Sequence, residues 1–368
     1  MKILHVIGYL AQEMGGPVAS LKLLAECQSE LGHNVKIAHT SRRKDGDILD
    51  FNKSIDLISL ISFSPLRIPF FMLERILKKG YKPDIIHIHG LWFNFVMDSF
   101  KLGIQLNIPI VISPCGMLQQ KALERSKLKK WIILKFYLRK LLESSKITFH
   151  SKSIEEKIQI KFFLPLSNVI VIPNPVEIYD KKILESNRKN QFIFLGRLHP
   201  VKGLERLIHD WKKIYKLNKN WDLLIIGPDT KGYKNKLVNE FDLNQFNFNI
   251  KFIDTAKGQD KWSYLRTGKY FIMPSKFENF GSAIVEGMSA GLPIITTAQT
   301  PWSIIKKREC GWIVEDNLYE ILKSAINLEE FKRQGMGANA RELSYEYSAK
   351  KITNEMIGFY ESAIKKVQ

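Results

Sequence analysis

The feature that most limits how this chain can fold is a rhythm that occurs twice. β-branched apolar runs alternate with stretches of helical spacing, with runs at 2–8, 35–38, 55–61, 84–89, 110–113, 146–150 and 169–172 and a helical pattern over 18–31. Short apolar runs separated by helix-length segments predict βα units and a parallel sheet. The pattern restarts at 191–196, followed by a helix over 204–215 and strands near 223–227, 250–253, 270–273 and 294–297. Between the two series lies Ile172-Pro173-Asn174-Pro175-Val176, where two prolines deny both helix and central strand. The expected fold is therefore α/β, with two doubly wound, Rossmann-like parallel-sheet domains over 1–175 and 176–349 that face each other across a cleft. A C-terminal helix near 350–368, with Ile352, Met356, Ile357, Tyr360 and Ile364 at helical spacing, can pack on either domain, packing back on the first being one expectation.

Composition narrows the class. Hydrophobic residues make up 45% and charged residues 25% of the 368, which excludes disorder and a coiled-coil rod. Three scattered cysteines, Cys27, Cys115 and Cys310, do not form a disulfide or zinc framework and suit a reducing compartment. The apolar stretch 55–73 is broken by Pro65, Arg67 and Pro69, so it falls short of the ~20 apolar residues of a membrane span. The N-terminus does not look like an export signal, and a cytoplasmic protein is expected. The 56 Lys+Arg against 37 Asp+Glu leave +19, which favours an anionic partner.

Parallel sheets bind ligands at the carboxyl ends of their strands, so the candidate chemistry lies in the turns that follow them. After the predicted strand at 191–195 comes Gly196-Arg197-Leu198-His199-Pro200-Val201-Lys202-Gly203. A guanidinium and an ammonium on such a turn suit a diphosphate leaving group. Gly15-Gly16-Pro17 stands at another strand-to-helix turn, where free N–H groups meet anions, but without the G-x-G-x-x-G spacing of nicotinamide sites. After the strand at 270–273, Glu278 falls on a loop and Glu286 about one turn inside a helix beginning near Gly281 or Ser282. A carboxylate accepts hydrogen bonds from both hydroxyls of a vicinal diol, so one could hold a sugar and the other a ribose.

Glu278 and Glu286 with seven residues between them, Gly291-Leu292-Pro293, Gly196-Arg197-Leu198 with Lys202-Gly203, and Gly15-Gly16-Pro17 together resemble the retaining glycosyltransferases of family 4, with the GT-B fold. Ile88-His89-Gly90-Leu91-Trp92, Ser113-Pro114 with Gly116-Met117-Leu118, Gly227-Pro228-Asp229 and Thr300-Pro301-Trp302 resemble the branch that builds bacterial surface polysaccharide. The resemblance implies a retaining, metal-independent, hexosyl-type transferase with no cofactor, using a nucleoside-diphosphate-sugar donor and a saccharide acceptor, lipid-linked, in O-antigen, capsule or lipopolysaccharide synthesis. It assigns Arg197 and Lys202 to the donor diphosphate, Glu278 to the transferred sugar and Glu286 to the ribose. Gly15, Gly16, Gly196, Asn279, Phe280, Gly281 and Ser282 complete the donor set. His89, at a strand's carboxyl end, is a further catalytic candidate.

Several positions depart from the pattern or stand outside it. Where many relatives carry histidine, this chain has Cys115, expected to pack rather than react. His87 and His89 share a strand face, but no third ligand is evident and no metal is expected. Asp45-Gly46-Asp47 reads as a solvated turn in a basic loop. The window 121–140 holds eight basic residues and one acid, interleaved with apolar ones, so Lys121, Arg125, Lys129 and Lys130 are candidate contacts to an anionic membrane on its inner face. The alternatives are a GT-B sugar-nucleotide epimerase, a non-catalytic sugar-nucleotide-binding module, and a basic nucleic-acid-binding protein. The last is disfavoured because the positive charge is spread over both halves, with no nucleic-acid partner expected.

Overall fold

The computed structural model describes residues 1–11, 16–40, 49–60, 77, 80–91, 94–118, 146–229, 231–245 and 247–367. The chain divides into two compact units, the first comprising Met1–Pro175 and Ala349–Gln368, the second Val176–Ser348. It crosses between them at 175/176 and 348/349. Beside these crossings the Val176 N–H donates to the Tyr347 carbonyl at 3.0 Å.

In the first unit the strands are β1 (Lys2–Ile7), β2 (Asn34–His39), β3 (Asp56–Ser59), β4 (Ile85–His89), β5 (Ile110–Ser113), β6 (Ile147–Ser151) and β7 (Asn168–Val171). They form one parallel sheet in the order β3-β2-β1-β4-β5-β6-β7. Every residue of β4 and β5 is buried, as expected of strands covered on both faces. One face carries Leu4, Val6, Ile86, Ile88, Ile110, Ile112 and Phe149. The other carries Ile3, Val35, Ile85 and Val111 under α1 (Gly16–Glu30). The helices α2 (Asn94–Gln105) and α3 (Ile154–Phe163) follow β4 and β6, and Ser153 caps α3 by accepting the Glu156 N–H. The C-terminal helix, Ala349–Lys365, is α11; its Ile352, Met356 and Tyr360 complete the core beside α1.

The second unit runs β8 (Gln191–Leu195), α4 (Leu204–Leu217), β9 (Asp222–Ile226), α5 (Tyr233–Glu240), β10 (Ile250–Ile253), α6 (Gly258–Leu265), β11 (Tyr270–Met273), α7 (Ser282–Ser289), β12 (Ile294–Thr297), α8 (Ile304–Lys307), β13 (Gly311–Val314), α9 (Leu318–Ile326) and α10 (Glu330–Ser344). Its parallel sheet has the order β10-β9-β8-β11-β12-β13, the doubly wound arrangement in which the order reverses between β8 and β11. The strand β13 was not anticipated by the run pattern. It has four residues and opens on Gly311, where a Cβ would lie 1.9 Å from the Ile294 carbonyl oxygen, so close strand approach rather than an apolar run defines it.

Candidate functional site

The point where the strand order reverses in the second unit puts the turn after β8 beside the loop after β11, and these carry most of the candidate residues. The Lys276 N–H donates to the Val201 carbonyl at 2.8 Å and ties the two segments together. Gly203 ends a short 3₁₀ turn over Pro200–Lys202 in the left-handed region, at φ 71, and begins α4. That turn delivers Lys202 to Glu278, with which it forms a hydrogen-bonded ion pair. Ser275 donates to the same Glu278 oxygen at 2.8 Å. Both charged side chains are largely but not wholly covered, at 16% and 10% exposure, so the pair can be reached by a ligand able to separate it.

Phe280 is buried against Trp302, ring centroids 5.3 Å apart, and the Trp302 Nε1–H donates to the Phe280 carbonyl at 2.5 Å. Tyr347, beside the crossing between the units, packs on both rings. This anchors the loop before α7. Gly281 follows at φ 84 and α7 starts without a side-chain cap, which leaves its first-turn N–H groups suited to an external oxygen. Asn279 and Ser282 are half-buried on either side of this turn.

Glu286, in the second turn of α7, meets a different cation. Lys261 from α6 donates to its Oε1 at 2.8 Å and to Glu177 Oε2 at 3.1 Å. Burial works against the charge on Lys261, but the two carboxylates outweigh it and raise its pKa. The structure therefore joins Lys202 with Glu278, and joins Glu286 with Lys261 rather than with either expected cation. Arg197 is exposed at the head of the turn, next to half-buried Gly196. Lys261, Ser275 and Glu177 carried no sequence signal, since nothing local marks which way a lone lysine on a helix will face.

His89 belongs to the first unit. Parallel register sets His5 of β1 opposite His87 of β4. His5, His87, His89 and His150 are all buried. The His150 Nε2 meets the Ile172 carbonyl at 2.8 Å, so it carries the proton, and its Nδ1 accepts from Ser113 Oγ at 2.8 Å. Ser113 is then free to accept the His87 Nε2–H at 2.7 Å, while His87 Nδ1 accepts from the Tyr360 hydroxyl at 2.5 Å. The His5 Nε2–H donates to Gln28 Oε1 at 2.8 Å, and its Nδ1 accepts from His89 Nε2 at 3.0 Å. Desolvation brings His5 down to about 4 and holds the other three well below the ordinary value. His89 is thus engaged in the core by His5.

The expectation that no third imidazole accompanies His87 and His89 needs correction. Nitrogens of His5, His87 and His89 lie within 4.8 Å of one another. The partners just described are neutral, however, and nearby Lys152 adds positive charge to the surroundings of all three. A dication there would add to that positive charge in a desolvated place, which counts against a resident metal. The missed signal was the recurrence of histidine on three predicted strands, His5, His87 with His89, and His150.

Beside this row, Lys152 donates to Ser113 Oγ at 3.3 Å with its ammonium 2.9 Å from His150 Nδ1, and burial pushes that ammonium down to about 8. Glu156, 1% exposed, accepts the Gly116 and Lys152 backbone N–H groups, each at 2.7 Å. Cys115, at φ 53, is a protonated thiol pushed up to about 11 by burial, which suits packing rather than nucleophilic chemistry.

The four neutral imidazoles make the protein sensitive to acid. Unfolded histidine protonates near pH 6.5, whereas these rings stay neutral until far lower, so below 6.5 the unfolded chain binds more protons. Stability is expected to be level just above pH 6.5 and to fall as pH drops towards 4, by up to about 1.4 kcal/mol per pH unit for each ring. Urea unfolding of the first unit at pH 7.5, 6 and 5 measures it, and a midpoint that does not move would contradict the assignment.

Gly16 begins α1, while Gly15 lies outside the described residues, as do Asp45–Asp47, Lys121, Arg125, Lys129 and Lys130. Among the described residues no helix is long and apolar enough to cross a membrane.

Known proteins resemble the chain throughout its length. The family model for glycosyl transferases group 1 matches residues 175–343, and that for glycosyltransferase family 4 matches residues 14–179. An uncharacterized glycosyltransferase of Methanocaldococcus jannaschii is 26% identical over 97% of this chain and 97% of its own. CapM of Staphylococcus aureus, a capsular polysaccharide biosynthesis glycosyltransferase, is 27% identical over 47% of this chain and 46% of its own. Among solved structures, sucrose-phosphate synthase from Thermosynechococcus elongatus has a TM-score of 0.80 at 17% identity, covering 100% of both chains. HepE of Anabaena, solved in complex with UDP and glucose, has a TM-score of 0.75 at 15% identity, covering 98% of this chain and 100% of its own.

Proposed function

The chain belongs to the family 4 glycosyltransferases of the GT-B fold, related to enzymes of capsule and lipopolysaccharide synthesis, and from that premise we propose that it is a retaining hexosyltransferase acting from a nucleoside-diphosphate-sugar onto a lipid-linked saccharide acceptor in surface-polysaccharide synthesis. The observation that carries this reading is the Lys202–Glu278 pair at the reversal point of the second sheet, next to the uncapped start of α7. Donor binding separates the pair. The Lys202 ammonium and the Arg197 guanidinium move onto the diphosphate, and the Glu278 carboxylate accepts hydrogen bonds from sugar hydroxyls. The first-turn N–H groups of α7 meet a phosphate oxygen, and Glu286 accepts the ribose hydroxyls.

Transfer then depends on charge that develops as the glycosidic bond breaks. Electrons pass to the departing nucleoside diphosphate, where Arg197 and Lys202 stabilise the added negative charge, while Glu278 keeps the sugar in register with the acceptor. The acceptor hydroxyl attacks from the leaving-group face and its proton passes to the departing phosphate oxygen, so configuration is retained. No resident metal is part of this reading. The structural neighbour bound to UDP and glucose supports a nucleotide-sugar donor. The protein works at the inner face of the cell membrane as a peripheral protein.

A thermal-shift panel of nucleoside diphosphates tests the donor site. A cognate ligand at 100 times its dissociation constant is expected to stabilise by ~2.7 kcal/mol, and the same shift should be lost in Lys202→Met. Absence of any shift across uridine, guanosine, adenosine, cytidine and thymidine diphosphates would overturn the reading. An epimerase needs no acceptor and returns a nucleoside-diphosphate-sugar, so release of free nucleoside diphosphate only when acceptor is present separates that alternative.

A further inference from the structure

A row of large apolar side chains on a helix is ordinarily covered, and α3 carries one such row on its inner side and another on its outer side, of which only the inner is covered. Its inner side places Ile160 and Leu164, the residue after its last turn, in the first unit's core, with Phe163 packed against them. Its outer side presents Ile154, Ile158 and Phe162, spaced four apart on one face, with Leu166 just beyond the helix end. These four are 66%, 60%, 76% and 75% exposed, the most open group of large apolar side chains among the described residues. Lys157 and Lys161 lie along one edge of the stripe, and Lys161 is exposed.

We infer that this stripe is a docking surface for a bilayer containing anionic phospholipid. The occupant follows from the edge: long cationic side chains beside an apolar row place their stems along the acyl boundary and their ammonium groups among the headgroups. The charge of the whole chain, +19, acts in the same direction at longer range. The opposite edge carries the exposed Glu155, so the pull towards an anionic surface comes from the lysine edge together with the overall charge. The inference rests on the membrane-surface reading given above and moves the apolar part of the contact from the 121–140 window to α3. Ile154, Ile158, Phe162 and Leu166 enter the acyl boundary, while α3 stays parallel to it.

Sedimentation of the full chain with vesicles of phosphatidylcholine alone, or with one-third phosphatidylglycerol, tests it. Binding is expected to the anionic vesicles, and Ile158→Asp with Phe162→Asp should weaken it at least tenfold, even in low salt. Lys157→Gln with Lys161→Gln should weaken it less and flatten its salt dependence. The nucleoside-diphosphate thermal shift, which arises in the other unit, is expected to be unchanged in both variants and reports folding. A separate Phe162→Trp variant should show quenching by brominated acyl chains. Failure of the unaltered chain to bind anionic vesicles overturns the membrane reading and this inference with it. Equal binding by the aspartate variant overturns the inference alone. A dimer in solution that the aspartate variant makes monomeric would assign the stripe to a second copy of the chain and also overturn it.

Discussion

Glu278→Ala should abolish sugar transfer, with a loss on the order of 10³-fold or more in turnover, while the protein stays folded. Among the described residues, Glu278 is the carboxylate set against Lys202 and Ser275, on adjoining loops at the sheet's reversal point. Removing it takes away the acceptor that the proposed reading assigns to the sugar hydroxyls and leaves Lys202 without its charge partner. The pair is largely covered, so Lys202 left unpaired also costs stability, about 1–3 kcal/mol, which the folded state can bear. Glu278→Gln preserves shape and much of the hydrogen-bonding capacity but not the charge, and should fall between. The measurement is release of nucleoside diphosphate in the presence of acceptor, alongside the unfolding midpoint. An alanine variant that turns over within tenfold of the unaltered chain would remove Glu278 from the reaction.

Gly203→Ala has the second large expected effect, and it acts through the backbone. Gly203 sits at φ 71, and a Cβ there would lie 2.1 Å from the Pro274 carbonyl oxygen, an atom of the loop that bears Glu278. The new methyl group therefore pushes apart the two segments that hold the Lys202–Glu278 pair, besides imposing a left-handed conformation on alanine. The expected cost is about 3 kcal/mol, from the left-handed backbone and the forced displacement together. Denaturant unfolding reads the stability, and the nucleotide-induced thermal shift reads the site. The shift should shrink even at temperatures where the variant is fully folded. A normal shift in a destabilised variant would mean that the Lys202 turn does not need this close approach.

The resemblance and the strands were legible for related reasons. A run such as Ile110–Ser113 or Tyr270–Met273 announces a buried parallel strand locally, because both of its faces must be apolar. Turns after strands are local as well, so Lys202, Glu278 and Gly281 could be placed near strand ends from spelling alone. The partner of Glu286 could not. Lys261 lies 25 residues away on α6, and its meeting with Glu286 and Glu177 depends on how two helices rotate about their axes. The same holds for His5, which becomes the neighbour of His87 only through the register of β1 on β4.

By itself, the amino-acid order determined the two parallel-sheet domains, the proline-marked passage between them and the strand-end turns that carry the chemistry, because each is encoded by a periodicity or a backbone restriction acting over a few residues. Tertiary structure alone decided which lysine faces which carboxylate, that four imidazoles share a buried row, and that the outer face of α3 is left open. Those outcomes follow from register, helix rotation and coverage by distant segments. A short-range pattern does not contain them, since the same apolar spacing describes a helix face whether another element covers it or not.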